Sequence, residues 1–339
     1  MNNNLYTGNA TDNRAITGVG FKPDLTWIKE RQSGPSHLLQ DVVRGATYQV
    51  YPNATDAQIN TTNQVKSFDS DGYTIGTGTW INNNSDTYVG WNWLAGGSQG
   101  SSNTDGSINT TYTSVNTTSG ISISTYAGNT TSGATIGHGL GAVPNFIMIK
   151  NLNSTENWVV YHSAIADPQT KFLQLNLSSA AQTQTGIWND TLPTSSVISL
   201  GNYGSVNESP DNYVCYAFTE KRGYSHFNYY TGNGNADGTF CYTGFRPSWI
   251  LVKITEAQDQ WNMYDDRRLG YNDYNNYLAA NTTNGESTGN GDANAIDILS
   301  NGFKIRGNGN AMNQANYQYV FAAFGQTLVG SNDIPNNAR

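Results

Sequence analysis

Short apolar segments, each opened by a proline and closed by a lysine, occur three times along the chain, at residues 23–29, 144–150 and 247–253. Neighbouring positions within them are apolar without alternation, as in the run from Phe146 to Ile149. A strand with apolar side chains on both faces is buried on both. Proline is tolerated at the first position because that residue need not donate to the ladder. The pattern therefore predicts three central strands of a layered β-structure.

Each of these strands has the same neighbours in the sequence, which indicates an internal repeat. An aromatic residue, a small residue and Gly-Asn precede it, at residues 6–9, 126–129 and 230–233. A second apolar segment that begins with tyrosine follows it, at residues 88–93, 213–218 and 319–324. Each copy is roughly 100 residues long, the size of a whole domain. We therefore predict three related modules, each able to bury a core of its own.

The predicted fold class is all-β, with three tandem β-sandwich modules of jelly-roll or lectin type, because no segment has helical apolar spacing. The predicted boundaries are module 1 at residues 1–94, a connector at 95–119, module 2 at 120–223, module 3 at 224–329 and a tail at 330–339. The connector is rich in Gly, Ser, Thr and Asn, which favours a partly extended linker.

Composition and charge exclude several classes of function. Only 12% of the 339 residues are charged, whereas 44 are Asn, 36 are Gly and 21 are Tyr, as expected for short strands joined by many turns. The net charge is −8 and there is no Lys/Arg run, so we expect no nucleic-acid partner. No apolar run approaches the roughly 18 residues that span a bilayer, so we expect no membrane insertion.

The ends and the cysteines indicate where the protein is made. The first residues lack the basic and apolar regions of a signal peptide, which predicts synthesis in a cytoplasm. The two cysteines, Cys215 and Cys241, are interpreted as free and at least partly buried thiols rather than a disulfide scaffold.

A polar constellation recurs at fixed spacing, as Lys29, Asp41 and Arg44 and again as Lys253, Asp265 and Arg268. Module 2 holds Lys150, His162 and Ile165 in the same positions. One interpretation is a catalytic acid–base pair. The other is a structural network of ion pairs and hydrogen bonds that joins one strand to the next loop. An apolar Ile in place of the Arg favours the structural interpretation, and we predict no catalytic residue.

Loops that combine aromatic rings with amides are the candidate ligand-binding sites, because such side chains suit stacking on sugars and hydrogen bonding to them. The candidates are Trp188, Asn189, Tyr271, Asn272, Tyr274 and Tyr277. The alternatives are an ordinary Tyr-rich strand–turn surface or a contact with a neighbouring subunit.

Metal and cofactor chemistry finds no support in the sequence. None of the four His is spaced with Cys, Asp or Glu as in a metal site, so we predict no metal and no cofactor. Residues 69–72 resemble part of a calcium loop, but the downstream Glu is missing and residues 300–302 repeat the pattern. A hairpin turn is therefore predicted at both places.

Several motifs resemble a module common in structural proteins of marine bacteriophages. They are Gly137-His138-Gly139-Leu140, Val143-Pro144, Ile149-Lys150-Asn151, Trp158, Tyr161-His162, Gly223-Tyr224-Ser225, Tyr230-Thr231-Gly232-Asn233-Gly234, Gly244-Phe245-Arg246-Pro247 and Ser300-Asn301-Gly302-Phe303-Lys304. The similarity extends over residues 5–325. It implies a virion component, often found beside lectin-like sandwiches, and it brings no catalytic residue.

The leading hypothesis is a virion protein of the tail-fibre or receptor-binding type that attaches to a host-surface glycan or protein. Its expected partners are other virion proteins and two further copies in a homotrimer, the latter an expectation from this class of protein alone. The alternative is a capsid decoration, cement or fibre protein without a ligand. A third hypothesis is a polysaccharide depolymerase that uses two carboxylates among Glu256, Asp259, Asp265 and Asp266.

Overall fold

Almost all regular structure in the chain is β-strand. The computed structural model describes residues 1–32, 34–268, 272, 276–287 and 293–326. Within these residues the strands form antiparallel sheets, and four helices of four residues each complete the secondary structure. This confirms the predicted all-β sandwich class. The predicted tail at 330–339 lies outside the described residues.

Module 1 consists of a six-stranded sheet and a three-stranded sheet. Its elements are β1 (Asn2–Thr7), β2 (Arg14–Ile16), β3 (Leu25–Glu30), β4 (Leu38–Asp41), β5 (Tyr48–Val50), β6 (Ile59–Asn60), β7 (Val65–Asp69), β8 (Gly72–Ile75), α1 (Thr79–Asn82) and β9 (Thr87–Trp93). The large sheet has the order β1-β9-β3-β4-β5-β6 and the small sheet the order β2-β8-β7.

Module 2 has a five-stranded sheet and two pairs of strands. Its elements are β10 (Tyr112–Asn116), β11 (Ile121–Ala127), β12 (Ala134–Gly137), β13 (Phe146–Asn151), β14 (Val159–His162), β15 (Lys171–Phe172), β16 (Gln182–Thr183), α2 (Thr185–Trp188), β17 (Val197–Leu200), α3 (Gly204–Asn207) and β18 (Asn212–Phe218). The orders are β10-β11-β18-β13-β14, β12-β17 and β15-β16.

Module 3 has a five-stranded and a three-stranded sheet. Its elements are β19 (Ser225–Thr231), β20 (Phe240–Tyr242), β21 (Pro247–Ile254), β22 (Asn262–Asp265), β23 (Leu278–Ala279), β24 (Ile296–Leu299), β25 (Gly302–Ile305), α4 (Asn310–Asn313) and β26 (Gln318–Gly325). The orders are β19-β26-β21-β22-β23 and β20-β25-β24. The same order of four strands thus occurs in all three large sheets, as β1-β9-β3-β4, β11-β18-β13-β14 and β19-β26-β21-β22.

The connector at 95–119 differs from the extended linker expected there. Its residues 112–116 form β10, which pairs with β11 along its whole length and becomes the edge of the module 2 sheet. The Ala95 N–H donates to Asp24 Oδ2 over 2.7 Å, and Ile108 forms a bridge with Ile136. An edge strand needs few apolar residues, so its composition is close to that of a linker.

The two predicted hairpins are present. Strands β7 and β8 pair through Asp69 and Gly72, and strands β24 and β25 pair through Leu299 and Gly302. Only two residues separate the strands in each case, which confirms the turn interpretation of both Ser-Asp/Asn-Gly motifs.

Two tyrosines and one asparagine hold the ends of each module together in the same way. Tyr6 stacks on Tyr88, Tyr126 on Tyr213 and Tyr230 on Tyr319, with ring centroids 5.0, 5.1 and 4.9 Å apart. The last residue of the short helix before the closing strand is a buried asparagine, at Asn82, Asn207 and Asn313. Its amide spans two backbone segments, as when Asn207 donates to Thr131 O and Gly201 O.

The predicted Pro-to-Lys strands are central, and each face has a different neighbour. All residues of β3, β13 and β21 are buried. In β13, Ile147 and Ile149 face the small strands of the same module, whereas Phe146 and Met148 belong to a second core. The alternation of side chains along the strand therefore serves two hydrophobic cores at once.

That second core is shared by all three modules, and we call it the central core. Equivalent residues from the three large sheets meet there: Leu25, Phe146 and Trp249; Val89, Val214 and Val320; Trp93, Phe218 and Phe324. At its middle lies a void of about 10 Å³ lined by apolar and aromatic side chains of every module. Each module also keeps its own core between large and small sheets, as expected. The sequence predicted a core within each module, but it did not predict the central core that the three modules share.

Candidate functional site

The predicted polar network is buried and centres on two ion pairs. Arg44 Nε lies 2.6 Å from Asp41 Oδ2, and Arg268 Nε lies 2.7 Å from Asp265 Oδ2. In both cases the arginine also donates its backbone N–H to the other oxygen of the carboxylate. Each pair forms a tight turn directly after the strand that ends in the aspartate. The spacing of three residues between aspartate and arginine thus places both partners of each pair in one turn.

The network also reaches across the interfaces between modules. Tyr216 Oη of module 2 donates to Asp41 of module 1 over 2.7 Å, and Trp91 Nε1 of module 1 donates to Asp265 of module 3 over 3.0 Å. At the third interface His162 replaces the aspartate, and its Nε2 lies 3.0 Å from the carbonyl of Phe321. The three contacts close a ring in which every module touches both others.

A second ring of contacts runs parallel to the first. Trp158 Nε1 donates to Tyr51 O and Trp261 Nε1 donates to Gln174 O, over 2.8 and 3.0 Å. In module 1 His37 takes the place of these tryptophans, and its Nε2 lies 3.1 Å from Ala279 O. The repeated residues Trp158 and Trp261 therefore mark interface positions.

The two interface histidines share one protonation state. Burial lowers the pKa of His162 to about 4 and that of His37 well below its ordinary value, so both are neutral near pH 7. Nδ1 accepts from Ala164 N in His162 and from Trp27 Nε1 in His37. The proton of each ring is therefore on Nε2, which donates to the carbonyl of the neighbouring module.

The three lysines lie apart from this network, at the other end of the strand. Leu25 pairs with Asp41, so Lys29 lies four residues along β3 from that carboxylate. Lys29, Lys150 and Lys253 each donate to the carbonyl of the following residue, and Lys150 also reaches Thr55 O of module 1. Burial lowers the pKa of all three to about 8. The predicted constellation thus divides into a carboxylate–arginine part and a lysine part.

The loops predicted to bind a ligand make structural contacts. Trp188 is only 2% exposed, packs edge-on against Tyr161 and donates from Nε1 to Lys171 O, so its ring offers no face to a sugar. Asn189 accepts a hydrogen bond from Ser132. These two positions close the end of the module 2 sandwich.

The second predicted loop is described at two of its positions. Asn272 Oδ1 accepts from Ile298 N, and Tyr277 packs on Tyr264 while its hydroxyl accepts from Asn294. The other two predicted binding residues, Tyr271 and Tyr274, lie outside the described residues.

A surface cleft in module 1 is the best candidate for a binding site. It has a volume of about 380 Å³ and lies between the segment after β3 and the helix α1. Its lining residues are Glu30, Gly34, Pro35, Ser36, Thr79, Trp80, Asn83 and Asp86. The Trp80 side chain is 36% exposed and packs edge-on against Tyr51, with centroids 5.5 Å apart. An exposed ring beside amide, hydroxyl and carboxylate groups is typical of a site for a polar ligand.

Comparison of the three copies would have identified Trp80 from the sequence. The position is the second residue of the short helix before the closing strand, where module 2 has Ser205 and module 3 has Ala311. The next two positions of the helix keep their character in every copy: an apolar residue at Ile81, Val206 and Met312, and then an asparagine at Asn82, Asn207 and Asn313. An aromatic ring that one copy alone exposes at this position has no counterpart in the repeated framework.

Comparison with protein families identifies the unit to which these modules belong. A family model described as "Domain of unknown function (DUF7483)" matches residues 1–327. The chain belongs to the DUF7483 family. The matched range takes in all three modules, so the DUF7483 unit corresponds to three sheets around one core rather than to a single repeat. No curated protein and no solved structure matches the chain.

Four carboxylates of this DUF7483 chain were candidates for glycan hydrolysis, and they fall into two separate places. Asp265 pairs in register with Trp249 near the start of β21, and Asp266 accepts from Ser248. Glu256 and Asp259 follow the other end of that strand, about 20 Å away at about 3.3 Å per residue. Paired carboxylates in glycosidases lie about 5–9.5 Å apart. Neither Asp265 nor Asp266 therefore lies within this distance of Glu256 or Asp259.

The remaining chemistry of the DUF7483 chain can be stated briefly. Among the described residues, no three His, Cys, Asp or Glu side chains come together as ligands for a metal ion. Cys215 and Cys241 are free and buried, and burial raises the pKa of both thiols. No helix in the described part of the chain has the length and apolar character to cross a membrane.

Proposed function

We propose that the chain is a virion surface protein of the tail-fibre or receptor-binding type, which holds a host-surface glycan in the module 1 cleft. The observation that carries the proposal is Trp80, whose ring is exposed beside Asn83, Thr79 and two carboxylates. Sugars present both apolar C–H faces and hydroxyl groups, and this combination of side chains suits both. The similarity of the sequence motifs to phage virion modules supports the virion part.

The mechanical character of the molecule supports a role on a particle. Three modules packed around one core, with two closed rings of interface contacts between them, favour a stiff unit. The buried carboxylates of Asp41 and Asp265 and the indoles of Trp158 and Trp261 have a structural use here, since each takes part in a hydrogen bond to another module. An attachment protein needs such stiffness because it transmits force from the cell surface to the particle.

Particle fractionation tests the proposal. Phage particles that encode the chain are purified on a density gradient, the chain is detected by mass spectrometry, and its place is found by antibody labelling in electron microscopy. We expect the chain in the particle fraction, with label on the tail. Recovery only in the soluble lysate would overturn the virion assignment.

A competition assay tests the attachment part. Excess purified chain should reduce adsorption of the phage to its host, and the variant Trp80→Ser should lose this effect. Label on the capsid, together with unchanged adsorption in the presence of excess chain, would instead support a decoration or cement protein without a ligand.

A further inference from the structure

The connector lies across one side of module 2 and reaches the outer strands of both its sheets. On the large sheet β10 pairs with β11, and Thr111 N donates to Thr125 O over 2.7 Å. On the small sheet Ile108 N donates over 2.9 Å to Thr135 O of the edge strand β12. One extended segment of the chain thus adds to two neighbouring strands, one from each sheet.

We call the surface beneath this segment the seam of the module. In module 2 the seam residues are Thr125, Thr135 and Gly137. The Thr135 hydroxyl accepts from Ser107 N over 2.9 Å, and a Cβ atom at Gly137 would overlap Asn103 Oδ1. The seam of module 2 is therefore polar, and the connector leaves no room on it for larger side chains.

Module 3 has the same seam without a strand over it. Its edge strands are β19 and β20, and no strand in the described part of the chain pairs with the outer side of either. Thr239 Oγ1, directly before β20, donates over 2.8 Å to Thr231 O at the end of β19, so these two edges also lie side by side. Residues 219–224 alone join β18 to β19, and they are too few to form an equivalent of residues 101–116.

Three exposed aromatic rings occupy the module 3 seam. Tyr229, Phe240 and Tyr242 are 51%, 42% and 62% exposed. No other large apolar side chain in the described part of module 3 reaches such exposure. The exposed apolar surface of this module is therefore concentrated on one pair of strand edges.

These rings lie at the positions where module 2 contacts its connector. The equivalent residues are Tyr229 and Thr125, Phe240 and Thr135, and Tyr242 and Gly137. The first pair precedes the tyrosine that stacks on the closing strand, at Tyr126 and Tyr230. The other two pairs flank the buried residue of the small-sheet edge strand, Ile136 or Cys241. Aromatic rings thus replace the residues that the connector covers.

Module 1 shows that a seam does not need aromatic rings. It has Leu5, Ala15 and Thr17 at the same three positions, on the edge strand β1 and at β2. The rings of module 3 are therefore not part of the repeated framework. An exposed apolar patch of this kind is typical of a site for another protein.

Two carbonyl groups of the module 3 seam point outward. Backbone groups alternate in direction along an antiparallel strand. Gly232 N donates to Tyr317 O, directly before β26, so Tyr229, three residues earlier, turns its carbonyl away from β26. Thr239 O accepts from β25, so the next residue, Phe240, turns its carbonyl away from β25. These carbonyls match the two that accept from the connector in module 2.

We propose that the seam of module 3 binds an extended segment of a partner protein, which adds to β19 and β20 as the connector adds to β11 and β12. In such strand addition, backbone hydrogen bonds supply affinity and alternate side chains supply specificity. The partner carries apolar side chains where the connector has Asn103 and Ser107, because rings replace the residues that these two contact. A second copy is a poorer match, since its own residues 101–116 are engaged at its module 2. The inference is independent of the module 1 cleft.

Fluorescence anisotropy with the purified full-length chain tests the inference. One labelled peptide has the sequence of residues 101–117, and a second carries the changes Asn103→Val and Ser107→Val. We expect the valine peptide to bind saturably and at least about tenfold more tightly than the first, because each valine buries apolar surface against a ring. Absence of saturable binding, or equal binding of the two peptides, would overturn the inference.

The repeat supplies variants that assign the site. The double variant Phe240→Thr and Tyr242→Gly introduces the residues of the module 2 seam, so it should bind the valine peptide about tenfold more weakly and lose the preference for it. Leu5→Thr makes the corresponding change in module 1 and should leave binding unchanged. Circular dichroism reports the fold of each variant, and Tyr242→Ser replaces the double variant if that is unfolded. Binding that is lost in Leu5→Thr and kept in the module 3 variants would place the peptide on module 1 and overturn the inference.

Modified peptides test whether backbone pairing takes part. N-methylation of Ile108 and Thr111 in the valine peptide removes the two N–H groups that donate to strand carbonyls in module 2, and should weaken binding at least about tenfold. N-methylation of Asn109, which makes neither of these hydrogen bonds, is the control and should leave binding unchanged. Equal binding of all three peptides would overturn strand addition. Self-association in sedimentation velocity that the double variant abolishes, without peptide binding, would assign the seam to a second copy and would also overturn the inference.

Discussion

The hydroxyl of Tyr216 in module 2 donates a 2.7 Å hydrogen bond to the carboxylate of Asp41 in module 1. The residue equivalent to Tyr216 is Trp91 in module 1, which donates to Asp265 of module 3 in the same manner. In modules 1 and 2 a strand in the middle of the large sheet thus carries a side-chain donor for the turn of another module, whereas in module 3 the carbonyl of Phe321 on the equivalent strand accepts from His162. The arrangement makes three tandem copies into one closed unit, a relationship that adjacent independent sandwiches would lack.

Removing this donor should weaken the interface measurably. Tyr216→Phe leaves the Asp41–Arg44 pair buried with two hydrogen bonds fewer, the one that Tyr216 donates to Asp41 and the one that it accepts from Arg44 Nη2. We therefore expect a loss of at least about 1.5–3 kcal/mol in the free energy of unfolding. Urea denaturation followed by circular dichroism measures it. The control is Tyr203→Phe, at a ring that is 47% exposed, for which a change within about 0.5 kcal/mol is expected. Equal stability of the two variants would show that the hydroxyl contact adds nothing.

The sequence predicts a feature of the fold when neighbouring residues determine it, and misses a feature that depends on contacts between distant segments. The run around Phe146 is apolar at every position, which correctly predicted a strand buried on both faces. It did not reveal that Phe146 faces two other modules while Ile147 faces its own, because an apolar side chain does not specify which surface will cover it. The strand β10 was missed for a related reason, since an edge strand can be as polar as a linker.

The candidate site shows the same limit. Trp188 followed by Asn and Asp resembles an exposed loop, yet its ring is buried and its N–H is satisfied by Lys171 O, a common solution for a large amphipathic ring. Trp80 lies in a helix of only four residues, which is too short to produce periodicity. Only an alignment of the three copies distinguishes Trp80, because the other two copies have Ser205 and Ala311 at the same position.

Two buried tryptophans offer a matched pair for testing the second ring. Trp158 donates across an interface to Tyr51 O, whereas the indole nitrogen of Trp249 has no acceptor within the described part of the chain. Replacing either by Phe removes similar volume, but Trp158→Phe also removes one of the two hydrogen bonds to the Tyr51 carbonyl, which then accepts only from the Ala54 N–H. We expect Trp158→Phe to be more destabilising than Trp249→Phe by about 0.5–1.5 kcal/mol, measured by urea denaturation. The reverse order would argue against the ring contacts as a source of stability.

The neutral histidine at the third interface makes the stability depend on pH. The pKa of His162 is about 4 in the folded chain and about 6.5 when unfolded, so below pH 6.5 the unfolded state binds the proton more readily. The stabilisation is therefore complete above pH 6.5 and is lost as the pH falls toward 4. At pH 5 the expected loss from this residue is about 2 kcal/mol relative to pH 8. His162→Gln can still donate to Phe321 O but cannot titrate, so its unfolding free energy should fall less over this range. An identical pH profile for both proteins would contradict the assignment.

The central core should make the three modules unfold together. Phe218 contacts Phe146 and Phe324, which belong to modules 2 and 3, and it lies in the core that all modules share. Phe218→Ala should lower the free energy of unfolding by about 3–5 kcal/mol and shift the whole transition, not that of module 2 alone. Differential scanning calorimetry should give one transition for the wild type and one, at lower temperature, for the variant. Val143→Ala, at a 49% exposed position in module 2, is the control and should leave the melting temperature nearly unchanged. Separate transitions, with only one of them shifted by Phe218→Ala, would mean that each sandwich is stable without its neighbours and that the shared core contributes little to the fold.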